Sequence, residues 1–142
     1  MAGSQFLTPK SVSPSKPRKR FTLEQANSAL PLVKRVVSDV VATHEKAVQL
    51  QIKVEKGGKD QADCQKELDR TMDRLQDLVG ELAGIGCELK DYQLGLIDFI
   101  GRHQGHDVYL CWKLGEEKIA YWHELQAGFA GRKPVSLLQE TE

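Results

Sequence analysis

Long apolar runs are missing from this chain of 142 residues. No stretch approaches the roughly 18 consecutive apolar residues of a bilayer-crossing helix, so no membrane contact is expected. The N-terminus also lacks the apolar core of a signal peptide. Cysteine is scarce: Cys64, Cys87 and Cys111 are odd in number and scattered. That argues against a disulfide framework and suits a reducing compartment, so a cytoplasmic location is expected. No stretch carries a recognisable catalytic or cofactor signature. The one Gly-rich loop with basic residues, Gly128 to Lys133, is not a Walker loop, because its glycine spacing differs and no Ser or Thr follows Lys133. No cofactor is expected.

Net charge is absent as well, but the balance hides an asymmetry. Residues 1–20 contain Lys10, Lys16, Arg18, Lys19 and Arg20 and no acid. Removing those five bases from the 20 Lys and Arg leaves the remainder five positive charges short of its 20 acids. The tail is also rich in Ser and Pro and poor in apolar residues, so it cannot offset the entropy of ordering. Residues 1–20 are therefore expected to be a disordered basic tail. Its charge could draw it to nucleic acid, but no aromatic is interleaved to stack on a base, and a solvated tail is the plainer reading.

With 40% hydrophobic residues, what remains suits one small domain. Residues 21–135 are assigned to it, and residues 136–142 to a flexible C-terminal tail. Thr22 and Gln25 have the spacing of a capping box. From there Ala26, Leu30, Val33, Val37, Val40, His44 and Ala47 recur at helical intervals. Pro31 predicts a kink near Ala29–Leu30 or a restart with Pro31 in the first turn. Gly57-Gly58 stops the helix and Asp60 offers a cap for a second one, whose seam runs through Leu68, Met72, Leu75, Val79 and Leu82. Gly84 and Gly86 end it. The stripes are wide, which leads to an expected homodimer through the helices, with the sheet as the alternative cover.

After Gly86 the period changes from helical to alternating. Strands are predicted at Cys87–Lys90, Leu96–Ile100, Val108–Leu114 and Ile119–Glu124, with a tight turn at Gly115-Glu116. A two- or four-residue loop there places Val108, Leu110, Trp112, Leu114, Ile119, Tyr121 and His123 on the core face. Tyr109, Cys111, Lys113, Trp122 and Glu124 then take the other face, whereas a three-residue loop would swap the last strand. The fold class is thus α+β: a long antiparallel helical hairpin packed on a small antiparallel β-sheet.

The stretch from Gly86 to Lys133 holds both tryptophans, all three tyrosines and most of the histidines and cysteines. Asp98 interrupts an apolar strand, so it either faces solvent or is buried with a partner, for which Arg102, His123 and Arg132 are the choices. His123 serves equally as a hydrogen-bonded structural group or as a general base. Arg132, in a Gly-flanked segment two residues before Pro134, is placed to tie down Glu116 or Asp98, or to receive an anion. Asp98, Glu116, Trp122, His123 and Arg132 form the candidate cluster, with no catalytic residue assigned. His103 and His106 have a metal-pair gap that Cys111 or His123 could complete, but spacing alone does not make a metal site and none is assigned.

Three segments carry a resemblance: FTLEQANSALPLV, ELKDYQLGLIDF and VYLCWKLGEEKIAYWHELQAGFAGRKP. They resemble a bacterial family known as domain of unknown function 2203. Its pattern falls here on Gly95, Leu96, Asp98 and Phe99; on Leu110, Cys111, Trp112, Gly115 and Glu116; and on Trp122, His123, Gly128, Gly131 and Arg132. The match covers about residues 21 to 135. It supports the domain boundaries and the place of the site, and implies no activity. Two functions stand. One is a non-enzymatic protein-interaction or oligomerisation module with an unidentified protein partner. The other is a small-ligand- or metal-binding domain, hydrolytic or not, using Asp98, Glu116, His123 and Arg132. The first is the expectation, because no full catalytic constellation is visible.

Overall fold

In the computed structural model, which describes residues 19–140, two helices lead into a five-stranded sheet. Helix α1 spans Leu23–Lys56 and α2 Gln61–Ile85. The strands are β1 (Cys87–Asp91), β2 (Leu96–His103), β3 (His106–Lys113), β4 (Tyr121–Glu124) and β5 (Lys133–Pro134). Each pairs antiparallel with the next, giving a meander in chain order. The expected α+β architecture is found, with the change of period at Gly86 marking the passage from hairpin to sheet. Of the basic tail expected over residues 1–20, residues 1–18 lie outside the described residues, but its last two positions, Lys19 and Arg20, belong to the fold. Arg20 bridges to Ile100, the Phe21 amide donates to the Ile100 carbonyl at 2.7 Å, and Arg20 Nε lies 2.8 Å from Asp107.

Local chemistry explains the helix ends. Thr22 accepts from the Gln25 amide while Gln25 accepts from the Thr22 amide, so the capping box is formed in both directions. Gly57, at φ 74°, ends α1. Asp60 precedes α2 but makes no side-chain cap, unlike the expectation. Pro31 neither breaks nor restarts α1, which runs through it. The ring is exposed and leaves the Asn27 carbonyl without its helical donor, a loss that neighbouring packing absorbs.

One face of the sheet packs on the hairpin. Ala26, Leu30, Val33, Val36, Val37 and Val40 of α1 and Leu75, Leu78 and Leu82 of α2 meet Ile97, Phe99, Val108, Leu110, Trp112 and Trp122. Farther along the hairpin a small separate core joins Ala47, Leu50 and Leu68. His44 is buried against the Tyr92 ring, 5.2 Å between centroids, and burial lowers its pKa. Gly95 allows close approach: at φ 68°, a Cβ there would lie 2.8 Å from both Val37 and Leu114. The sheet covers the near part of the stripes and the helices bury the far part between themselves, so the large apolar residues exposed on the helices, among the described residues, are Leu32 and Ile52. The argument for a second copy from an uncovered stripe therefore does not hold.

The register corrects the expected faces. Gln104 and Gly105, at φ 50° and 83°, form a two-residue turn that sets Asp98 opposite Cys111. Between β3 and β4 a turn does form at Gly115, with the Glu116 amide donating to the Lys113 carbonyl at 3.0 Å, but it opens a seven-residue connection instead of closing a hairpin, and β4 begins at Tyr121. Leu110 pairs with Trp122, Cys111 with Tyr121 and Tyr109 with His123. Trp122 therefore faces the helices, whereas Tyr121 and His123 join Tyr109, Cys111 and Lys113 on the outer face. Ile119 still reaches the core, from a bend whose amide donates to Asn27 Oδ1 at 2.8 Å. Residues 136–140 also depart from the expected flexible tail. The Gln104 amide donates to the Gln139 carbonyl at 2.9 Å, the Gln139 amide to His103 Nδ1 at 3.0 Å, and the Leu23 amide to Glu140 at 2.6 Å.

Candidate functional site

The outer face of the sheet should be the wet one, yet it holds buried ionisable groups. The ladder aligns Glu88, Asp98, Cys111 and Tyr121 in one row across β1 to β4, with Ile100, Tyr109 and His123 in the next. Asp98 is 3% exposed, Cys111 0% and His123 3%. Neighbouring side chains fold over them. Lys90 Nζ sits 4.6 Å above the Tyr109 ring, which lies 5.4 Å from that of His123. The Arg132 guanidinium lies 4.2 Å over Tyr121 and 4.7 Å from Phe129.

One hydrogen bond fixes the proton on His123 Nδ1. His123 Nδ1 is 2.7 Å from the Glu124 backbone oxygen, a group that only accepts, so Nδ1 carries a proton and donates. Nε2 then faces Asp98 and stands 3.3 Å from each carboxylate oxygen. That is long for a charge-assisted pair, which runs to about 2.7–2.9 Å. A carboxylate oxygen of Asp98, Cys111 Sγ and a ring nitrogen of His123 all lie within 4.8 Å of one another, a spacing that could hold a metal ion. Burial pushes the Asp98 carboxyl up, against the opposing pull of His123, Cys111 and Lys90. Burial and the Asp98 charge push the Cys111 thiol up to about 12, although Arg132 beside it works the other way.

Arg132 links this cluster to Glu116. Its Nη2 donates to Glu116 Oε1 at 2.7 Å, with side chains 12% and 21% exposed. The same oxygen accepts from the Lys113 amide at 2.9 Å. Burial pushes Glu116 up, but the Arg132 and Lys113 hydrogen bonds outweigh it and leave the carboxyl below its ordinary value. Arg132 Nε is buried with no partner among the described residues. Stacked between two rings and tied at one end, the guanidinium is fixed beside Cys111 with a donor to spare.

Residues 19–135 match a family described as an uncharacterized conserved protein, DUF2203. The chain belongs to that family. No curated protein and no solved structure matches it. The match takes in both helices, all five strands and the whole outer-face cluster of the DUF2203 domain.

Of the expected cluster, Asp98, Glu116, His123 and Arg132 do come together on one side. Trp122 does not. It faces the helices, donates from Nε1 to the Pro134 carbonyl at 3.1 Å and stacks on His103, 4.3 Å between centroids. His103 and His106 flank the β2–β3 turn, on the face opposite Cys111, so the three do not converge. His103 Nδ1 accepts from Gln139, and His106 Nε2 lies 3.0 Å from Glu124. Sequence reasoning missed Tyr109 and Tyr121 and the pairing of Cys111 with Asp98. Alternation in β3 already put Tyr109 and Cys111 on one side. The parity of β4 needed the length of the preceding connection, which no short-turn rule supplies.

No helix among the described residues is long and apolar enough to cross a membrane.

Proposed function

We propose that the DUF2203 domain binds a small ligand through the outer-face cluster of Asp98, Cys111, His123 and Arg132, with the helical hairpin as its scaffold. The observation that carries this reading is the contact between His123 and Asp98. A desolvated carboxylate with a raised pKa faces a histidine nitrogen at 3.3 Å instead of closing a short hydrogen bond. Polar groups retained in this way destabilise the empty fold, and a bound ligand would offset that. Glu116 and the Tyr121 and Phe129 rings hold Arg132 in place. Binding is favoured over covalent catalysis, because a thiol pushed up to about 12 is no nucleophile near neutral pH. The interaction-module reading loses its main support, since the stripes that were to dock a partner are buried against the sheet and, farther along the hairpin, between the two helices.

Asp98→Asn tests the reading. The substitution keeps the shape and can donate to His123 Nε2. If the cluster is a binding site, the Asp98→Asn variant should be at least as stable as the parent in ligand-free chemical denaturation at neutral pH. A loss of about 3 kcal/mol or more, the usual result of breaking a buried pair, would make the cluster a structural plug and sink the proposal.

A further inference from the structure

We infer that the ligand is a divalent transition-metal ion of the zinc type, held by the Asp98 carboxylate, the Cys111 thiolate and His123 Nε2. The inference rests on the reading of this cluster as a binding site, and it names what binds there.

The donor set is one sulfur, one imidazole nitrogen and one carboxylate oxygen. Such a mixture suits zinc and cobalt(II), whereas magnesium and calcium favour oxygen alone. The distance between Asp98 and His123 fits too. Bond lengths of about 2.0–2.3 Å at tetrahedral angles put donor atoms roughly 3.3–3.7 Å apart. The Asp98 oxygens stand 3.3 Å from His123 Nε2, and all three donors lie within 4.8 Å. A 3.3 Å gap is poor for a hydrogen bond and right for the edge of a coordination tetrahedron.

The surroundings point the same way. A ligating histidine commonly donates its other ring N–H to a carbonyl, which aims the free nitrogen at the metal. His123 does this through Glu124. The three ligands come from adjacent strands, with Asp98 directly opposite Cys111, so their backbone spacing is set by the ladder rather than by a loop. Two anionic ligands neutralise a divalent ion, which resolves the placing of a carboxylate where it is 3% exposed. On binding, the Cys111 thiol releases its proton to solvent and the sulfur–metal bond forms, with no change of oxidation state. Three protein ligands leave a fourth position for water or a small anion.

Cobalt(II) titration of the full-length, metal-free, reduced protein tests the inference. One equivalent is expected to produce a thiolate-to-cobalt charge-transfer band and tetrahedral d–d absorption. Cys111→Ser should abolish the charge-transfer band, whereas Cys64→Ser, distant in α2, should leave it intact. Asp98→Asn and His123→Gln should each weaken cobalt binding at least about tenfold, the loss that even outer-shell changes commonly cause. Zinc should displace the cobalt and raise the melting temperature of the parent but not of Asp98→Asn. Absence of the band, or its persistence in Cys111→Ser, would overturn the inference. If the band is absent while ligand-free Asp98→Asn remains at least as stable as the parent, the binding-site reading survives and only the metal is wrong. A destabilised Asp98→Asn removes both.

Discussion

The two faces of the sheet are built by the same strands and obey opposite rules. Toward the hairpin, Ile97, Phe99, Leu110, Trp112 and Trp122 are almost wholly buried among apolar neighbours. Burial there removes apolar surface from water and is favourable throughout. Toward the outside, Asp98, Cys111 and His123 are buried to the same degree, but each loses hydration for it. Equal burial therefore has opposite meaning on the two faces. One face stabilises the fold, and the other gives up part of that stability to hold ionisable groups away from water.

Substitutions should separate the faces by size and sign. The largest effect belongs to the helix side. Trp112→Ala removes a fully buried ring and should cost about 3–5 kcal/mol in denaturant unfolding. Comparable stability in that variant would mean that the apolar face is not the source of the fold's stability.

Arg132 lies at the border of the outer face and should have an intermediate effect. Arg132→Ala strands the partly buried Glu116 carboxylate and should cost about 1–3 kcal/mol. Arg132→Lys should restore only part of it, since an ammonium cannot replace a guanidinium both stacked on Tyr121 and bonded to Glu116. Full recovery with Lys would show that charge alone matters there, and the contrast between the faces would weaken.

The smallest effect, and the one of opposite sign, is the pH dependence set by Asp98. Burial raises its folded pKa above the unfolded value, so the protonated form is favoured in the folded state. This contribution is fully present below the ordinary carboxylate range and is lost as pH rises through the raised pKa. Metal-free parent protein should thus lose stability over that window, and Asp98→Asn should lose less. Urea midpoints measured across that pH range would decide it, and parallel curves for the two proteins would contradict the assignment.

Much of this molecule was legible in its residues. The capping box at Thr22, the glycine stop at Gly57, the helical seams and the change of period at Gly86 are local signals, each set by a few neighbouring side chains. The stretch that holds Asp98, Glu116, His123 and Arg132 was legible from their crowding between Gly86 and Lys133, although the face each one takes was not. The resemblance in LCWKLGE and WHELQAGFAGR marked the same stretch. Signals of this kind survive without tertiary context because capping, turn chemistry and periodicity act within one or two turns of chain.

What the sequence could not decide was parity and cover. Whether Trp122 or His123 faces the helices depends on the connection from Leu114 to Ala120, whose path is set by the Asn27 and Gly95 hydrogen bonds from other parts of the chain. A slip of one residue exchanges the two faces of a strand, so a local pattern with Ile119, Tyr121 and His123 in alternation pointed the wrong way. Pro31 was tolerated for a related reason, since packing against the sheet and α2 outweighs one missing helical hydrogen bond. The sheet's choice to cover the helical stripes likewise removed the argument for a second copy. These outcomes are long-range: only the folded chain brings Asp98, Cys111 and His123 within 4.8 Å, because three strands must first pair in one register.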